Sequence, residues 1–192
     1  MGWISRIGPS VAAGSAALVP SWLRALAPPP AARSEAEPAL LLAYATQTGV
    51  AEYHARDTAA RLQRMGVAVR LVEFDVLSIE LLASVPRMLL VVSTTYDGEA
   101  PDTADAFCDT CMHEPAPLEG LRYGLLSLGD SCYRQFCAFG RRLHAWLQAS
   151  GAQASFAPVE VDDEDAAAIQ EWHRQVSAWI GSLAGGVTRG NG

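Results

Sequence analysis

"ALLLAYATQTGVAE", residues 39–52, decides how the rest of the chain is read. It opens as an uninterrupted apolar run, passes through a turn of small and polar residues ("YATQTG", 44–49), and continues into an amphipathic stretch. A strand that feeds such a turn into a helix gathers free backbone N–H groups and the positive end of a helix dipole at one point, which suits a phosphate. Thr46, Gln47 and Thr48 add side-chain donors, Gly49 allows close backbone approach, and the helix starts near Ala51. The turn contains neither GxGxxG nor GxxxxGK[ST], so dinucleotides and nucleoside triphosphates both lose ground as owners of that phosphate. Taken alone, the same residues also fit a capped turn with no ligand.

Working outward, further strand-length apolar runs occupy 67–73, 88–94, 122–128 and, more weakly, 152–161, which makes five strands in all. Between them the 3-4 spacing of Ala51, Ala55, Thr58, Ala59, Leu62 and Met65 predicts a helix. The spacings of Phe139, Leu143, Trp146 and Leu147, and of Ile169, Trp172, Val176, Trp179, Ile180 and Leu183, predict two more. Gly66 and Gly151 stand where C-terminal caps belong. Strands alternating with helices give an α/β fold, a doubly wound five-stranded parallel sheet covered on both faces, and the continuous apolar run at 88–92 marks a central strand. In such sheets ligands bind beyond the carboxyl ends of the strands, so the residues after each strand carry the functional reading.

After the third strand comes "STTYDGEAPDTADAF" (93–107), with Tyr96 at the sheet edge, Asp97-Gly98 in a tight turn and Asp102 as the expected N-cap of the next helix. After the fourth comes "LGDSCYRQFCAFG" (128–140), with Tyr133 and Phe136. Two aromatic residues at neighbouring strand ends can sandwich a flat ring, or can simply roof the core.

Phosphate turn, Tyr loop and Gly-Asp-x-x-Tyr loop, in that order, together with "VEVDDEDAAAIQEW" (159–172), resemble the flavodoxin-like FMN domain of the diflavin reductases, above all that of the sulfite reductase flavoprotein component. The resemblance covers about residues 39–183 and implies FMN as cofactor and a strand order of 2-1-3-4-5. It implies that Thr46, Gln47, Thr48, Gly49 and Ala51 bind the phosphate. It also implies that Thr94, Thr95, Tyr96, Asp97 and Gly98 flank one face and the N5 edge of the flavin. Leu128, Gly129, Asp130, Tyr133, Phe136 and Cys137 would form the other side, with Asp163 near the ribityl chain or ring rim. Lysine is not required where backbone donors and hydroxyls neutralise the phosphate. One departure concerns the loop after Tyr96: "DGEAPD" is a residue shorter than the usual family sequence, which changes the backbone facing N5.

The chain has 192 residues and a formal charge of −7, from 21 carboxylates and 14 basic residues, all of them arginine. That balance argues against nucleic acid and favours a basic protein partner. Seven carboxylates and no arginine lie between Asp97 and Leu121, and a second acidic cluster spans 160–165. Both belong to loops around the expected ring edge, and they are read either as solvated faces or as a docking surface for a redox acceptor protein. Four cysteines fit a reducing compartment. Cys108 and Cys111 form a CxxC inside an expected helix rather than at a helix start, and Cys132 and Cys137 have poor zinc spacing, so no metal site is expected. His54, His113, His144 and His173 fall on separate helices with no carboxylate or nucleophile at a useful spacing.

Residues 1–38 are rich in Ala, Pro, Gly and Ser and are read as an extension and linker, 39–184 as the FMN domain, and 185–192 as a disordered tail. Between Arg6 and Arg24 lie 17 uncharged residues interrupted by Pro9, Gly14 and Pro20, short of the roughly 20 that a span requires. Residues 1–27 remain open as a loose extension, a membrane-surface segment or an export signal, and a cytoplasmic location is expected. The resemblance implies electron transfer from an FAD/NADPH reductase module to a haem, iron–sulfur or similar acceptor. It also implies an oxidoreductase component that is not a complete enzyme alone, since no general acid or nucleophile stands out. A flavodoxin-like quinone reductase and a flavin-free binding module are the alternatives.

Overall fold

The computed structural model describes residues 40–95 and 97–185. The expected extension 1–38, Tyr96 and residues 186–192 of the expected tail lie outside the described residues. Strands β1 (Leu40–Ala45), β2 (Val69–Glu73), β3 (Arg87–Ser93), β4 (Arg122–Gly129), β5 (Gln153–Ala154) and β6 (Val159–Asp162) alternate with helices α1 (Val50–Arg64), α2 (Ile79–Ser84), α3 (Asp102–Cys111), α4 (Ala138–Ala149) and α5 (Ala166–Gly185). Every pairing is parallel, in the order β2-β1-β3-β4-β5, with β6 also on β4. The expected order 2-1-3-4-5 is present, with its fifth position shared by two short strands.

The fifth strand is broken for a local reason. β4 pairs with β5 at Arg122 and Tyr123 and with β6 from Leu126 to Gly129. Between them Pro158 has no N–H to give the ladder. Phe156 turns onto the sheet instead, so close to Gly124 that an added Cβ there would lie 2.5 Å from its ring. It meets the rings of Trp172 and Trp179 at 5.8 Å and 6.1 Å.

Alternation within continuous apolar strands divides the core into two layers. Leu41, Ala43, Met88, Leu90 and Val92 face α3 and α4, packing with Phe74, Phe107, Phe139 and Trp146. Leu40, Leu42, Leu89, Val91 and Leu126 face α1 and α5, packing with Ala55, Leu62, Trp172 and Val176. Trp172 is fully buried and donates its indole N–H to Thr58 Oγ1 at 2.9 Å, tying α5 to α1. Gly66 and Gly151 both take φ near +84° as expected of caps. After each, the next residue's N–H reaches back into the helix, Val67 to the Leu62 carbonyl and Ala152 to the Leu147 carbonyl, both at 3.0 Å.

Two details differ from the sequence reading. Pro101, not Asp102, is the N-cap of α3, and Asp102 is its first helical residue, where a carboxylate still suits the dipole. The β2–β3 crossover contains the six-residue α2, capped by Ser78 Oγ accepting from the Leu81 N–H at 3.2 Å.

Candidate functional site

Beyond the carboxyl ends of β1, β3 and β4 lies a cavity of about 320 Å³, within the size range of small-molecule sites. One wall is the start of α1. Gly49 is its N-cap with φ 92°, a left-handed conformation that glycine adopts without strain, and no side chain caps the helix. Its first-turn N–H groups are therefore left without an intrahelical partner beside Thr48 and Val50, which line the cavity.

The turn before α1 is braced from the far side. Thr46 N–H donates to Thr103 Oγ1 at 3.1 Å, and Gly49 N–H donates to Thr46 Oγ1 at 2.9 Å. Gln47 closes a two-bond clasp with the start of α3: its Nε2 donates to Asp102 Oδ2, and the Asp102 N–H donates to its Oε1, both at 3.0 Å.

Ser93, Thr94 and Thr95 form the second wall. Thr94 N–H donates to the Leu128 carbonyl at 3.0 Å, which joins the β3 and β4 loops. Thr94 Oγ1 is buried and has no partner among the described residues, a hydroxyl left for something that fills the cavity. Gly98 N–H closes a turn onto the Thr95 carbonyl at 2.9 Å, and Gly98 packs so tightly that an added Cβ would lie 2.5 Å from Gln135 Cβ.

The third wall is the loop after β4, folded back over Gly129: a Cβ there would lie 2.9 Å from the Cys137 nitrogen and 3.0 Å from its sulfur. Cys137 starts α4 in a left-handed conformation (φ 53°), is fully buried, and donates to the Ser127 carbonyl at 3.3 Å. Burial pushes its thiol pKa up, so it is a packed thiol and not a nucleophile. Asp130 Oδ1 accepts from Cys132 N–H at 2.8 Å, and Asp162 Oδ1 accepts from Ser131 N–H at 2.7 Å. That last hydrogen bond holds the Asp162 carboxyl below its usual range. Asp163 and Glu164, at φ 42° and 61°, close the rim together with Tyr133, which is 41% exposed.

The flavodoxin family profile matches residues 42–174. The chain belongs to the flavodoxin family. The sulfite reductase [NADPH] flavoprotein alpha-component of Shewanella sp. (strain MR-4) is 35% identical over 155 residues, 80% of this chain and 26% of that protein. Its counterpart in Vibrio cholerae serotype O1 (El Tor Inaba N16961) is 35% identical over 144 residues, 74% of this chain and 24% of that protein. The chain thus spans about a quarter of the length of these curated relatives. A Streptococcus flavodoxin (TIGR4) superposes with a TM-score of 0.60 at 23% identity, over 72% of this chain and 97% of that one. A short-chain flavodoxin associated with a bacterial microcompartment gives 0.61 at 21%, over 73% and 97%. Both show the fold.

Family and fold together indicate FMN, and the residues of this flavodoxin-like domain fit it. Hydroxyls and helix-start N–H groups stand at the α1 end, the orphan Thr94 hydroxyl lies within, and Leu128, Tyr133 and Phe136 offer apolar surface at the other end. The cavity collects Thr48, Thr94, Thr95, Leu128, Gly129, Asp130, Tyr133, Phe136, Cys137 and Asp163 of the expected set. Thr46 and Gln47 turn their side chains to bracing, Ala51 is buried in the α1 layer, and the exposed Asp97 and the buried Gly98 do not line the cavity. Tyr96 lies outside the described residues. Val50, Ser93, Gln135, Val161 and Glu164 also line the cavity and were not expected. Ser93 and Glu164 adjoin expected residues, and Gln135 sits inside the quoted β4 loop, so proximity in sequence was the available signal.

His173 Nε2 lies 3.2 Å from Asp57 Oδ2, and His54 lines the same cleft between α1 and α5, so the fold brings His173 to a carboxylate on another helix that sequence spacing did not pair with it. Among the described residues no group of three or more His, Cys, Asp or Glu is arranged to hold a metal, and no helix is long and apolar enough to cross a membrane.

Proposed function

We propose that this flavodoxin domain binds FMN in the cavity and passes electrons between an FAD/NADPH reductase module and a haem, iron–sulfur or similar acceptor. The observation that supports the reading most is the junction of a helix start and Thr48 at one end with the Leu128–Phe136 wall at the other. When bound, FMN supplies the ability to accept electrons in pairs and release them singly. Thr48 and the α1 N–H groups would hold the phosphate, Thr94 would donate to or accept from the cofactor at its buried hydroxyl, and Tyr133 would cover the ring. The Gln47–Asp102 clasp would keep the phosphate turn in register with α3. Purified protein should be yellow and release FMN on denaturation; chromatography showing stoichiometric FAD instead would refute the assignment.

The acidic loops support docking of a basic partner, with the cytoplasm as the compartment. Asp105 and Asp109 lie on α3, lining a separate depression with Glu99 and Arg142, and Asp102 is already engaged by Gln47. Electron transfer to the partner should slow as salt rises, because the screening length falls from about 10 Å at 0.1 M to about 3 Å at 1 M. Asp105→Arg with Asp109→Arg should reproduce the slow rate at low salt in stopped-flow measurements. A rate indifferent to both treatments would leave these carboxylates as solvated surface.

A further inference from the structure

A second cleft, of about 430 Å³, separates α1 from the start of α5. His54 on α1 is only 8% exposed, and its Nε2 is buried without a hydrogen-bond partner among the described residues. His173 on α5 also buries its Nε2, which lies 3.2 Å from Asp57 Oδ2 but out of line for a hydrogen bond. Asp57 is already engaged at 2.8 Å by Arg61. Burial alone would raise the Asp57 carboxyl, but the Arg61 bond and the neighbouring positive charges hold it low, so it stays ionised. Glu164 lines this cleft and the flavin cavity alike, in a left-handed conformation at φ 61°.

We propose that His54 and His173 form an acid-released latch between α1 and α5, whose opening loosens the flavin cavity through Glu164. The coupling to the cavity rests on the FMN reading; the latch itself does not. The charged and titratable groups facing the imidazoles are Tyr53, Asp57 and Arg61 from α1, Glu164 from the turn after β6, and each histidine for the other; Arg64 acts on Asp57 from further along α1. At neutral pH both rings are uncharged, and the seam is held by the Trp172–Thr58 bond and by apolar packing around it.

Protonation places two cations beside Arg61 in a half-dry cleft where the one nearby anion of α1 is already shared. Burial is the leading cause that lowers both histidines; Glu164 and Asp57 oppose it at His54, and at His173 Arg61 adds to it while Asp57 opposes. A histidine held below its ordinary value binds its proton more readily once the seam has opened. The closed seam is therefore fully stable above about pH 6.5 and loses stability as the pH falls below that value toward the depressed one. Relief comes by separating α1 from α5, and the turn bearing Asp163 and Glu164 leads directly into α5.

Hydrogen exchange of the flavin-free protein tests the latch without reference to the cofactor. Corrected for intrinsic rates, α5 amides should exchange faster at pH 5.5 than at pH 7.5, by up to about tenfold for each histidine that is ordinary in the opened state and depressed in the closed one. His54→Gln with His173→Gln should abolish that acid response while leaving β3 and β4 protected. In the FMN-loaded protein the same acid step should speed FMN release, and Glu164→Gln, which also removes a charge that opposes the lowering at His54, should reduce the effect on release while α5 exchange still responds to acid. Equal α5 protection at both pH values, or an unchanged response in the double variant, overturns the latch. Should the double variant fail to fold, NMR titration of the wild-type imidazoles decides: both must titrate below about 6.5, and titration at or above it refutes the proposal. Failure to bind FMN would remove the release measurement and leave the exchange result standing.

Discussion

Trp172→Ala should destabilise the domain by about 3–5 kcal/mol, the range for deleting a fully buried aromatic side chain. Trp172 combines functions that are separate elsewhere in the core. Its ring fills the layer between α5 and the sheet and meets Phe156, and its indole N–H satisfies Thr58, a hydroxyl only 1% exposed. Alanine would leave a cavity and an unpaired buried hydroxyl together, and the second alone costs about 1–3 kcal/mol. Urea unfolding of the flavin-free protein would show this as a lower midpoint at unchanged slope. Trp172→Ala with Thr58→Val removes the orphan hydroxyl and should recover part of the loss. A midpoint within about 1 kcal/mol of wild type would mean that α5 does not depend on this contact.

The second large effect is expected at the phosphate turn. Thr48→Ala should weaken FMN binding by about 1.5–3 kcal/mol, the contribution of a hydrogen bond to a charged group. That is roughly 10- to 100-fold in Kd, measurable by fluorescence titration. Riboflavin, which lacks the phosphate, provides the control: its affinity should barely change in the same variant. Gln47→Ala should act differently, because both ends of that amide are committed to Asp102. It should loosen the turn and lower the affinity less than Thr48→Ala, and Gln47→Glu, which sets two carboxylates against each other, should be worse than Gln47→Ala. Equal loss of riboflavin and FMN affinity in Thr48→Ala would place the phosphate elsewhere.

What could be read from the sequence follows from range. Alternation and 3-4 spacing report on neighbours within one element, so the strands, the long helices and the glycine caps at 66 and 151 were legible. Ser78 to Ser84 was not, because six helical residues are too few to display a period. The fifth strand looked weak because Pro158 interrupts it, and its weakness was a real break. The loops of the candidate site were legible as loops, since Gly49 marks a left-handed turn and Gly98 and Gly129 mark places where backbone runs close to its surroundings. The division of labour within them was not. Gln47 meets Asp102 and His173 meets Asp57 only after strands have been ordered in the sheet. No local pattern foretells such a meeting.

The break between β5 and β6 also bears on how the molecule behaves in a crowd. A long, flat outer strand offers its unused N–H and C=O groups as a template for another chain. Here that margin consists of a two-residue piece and a four-residue piece, separated by a proline and a phenylalanine that dives into the sheet. The opposite margin, β2, carries the exposed Arg70 and ends at Glu73. Among the described residues one margin is guarded by broken geometry and the other, a short continuous strand, by charge, so the sheet resists self-association through its margins.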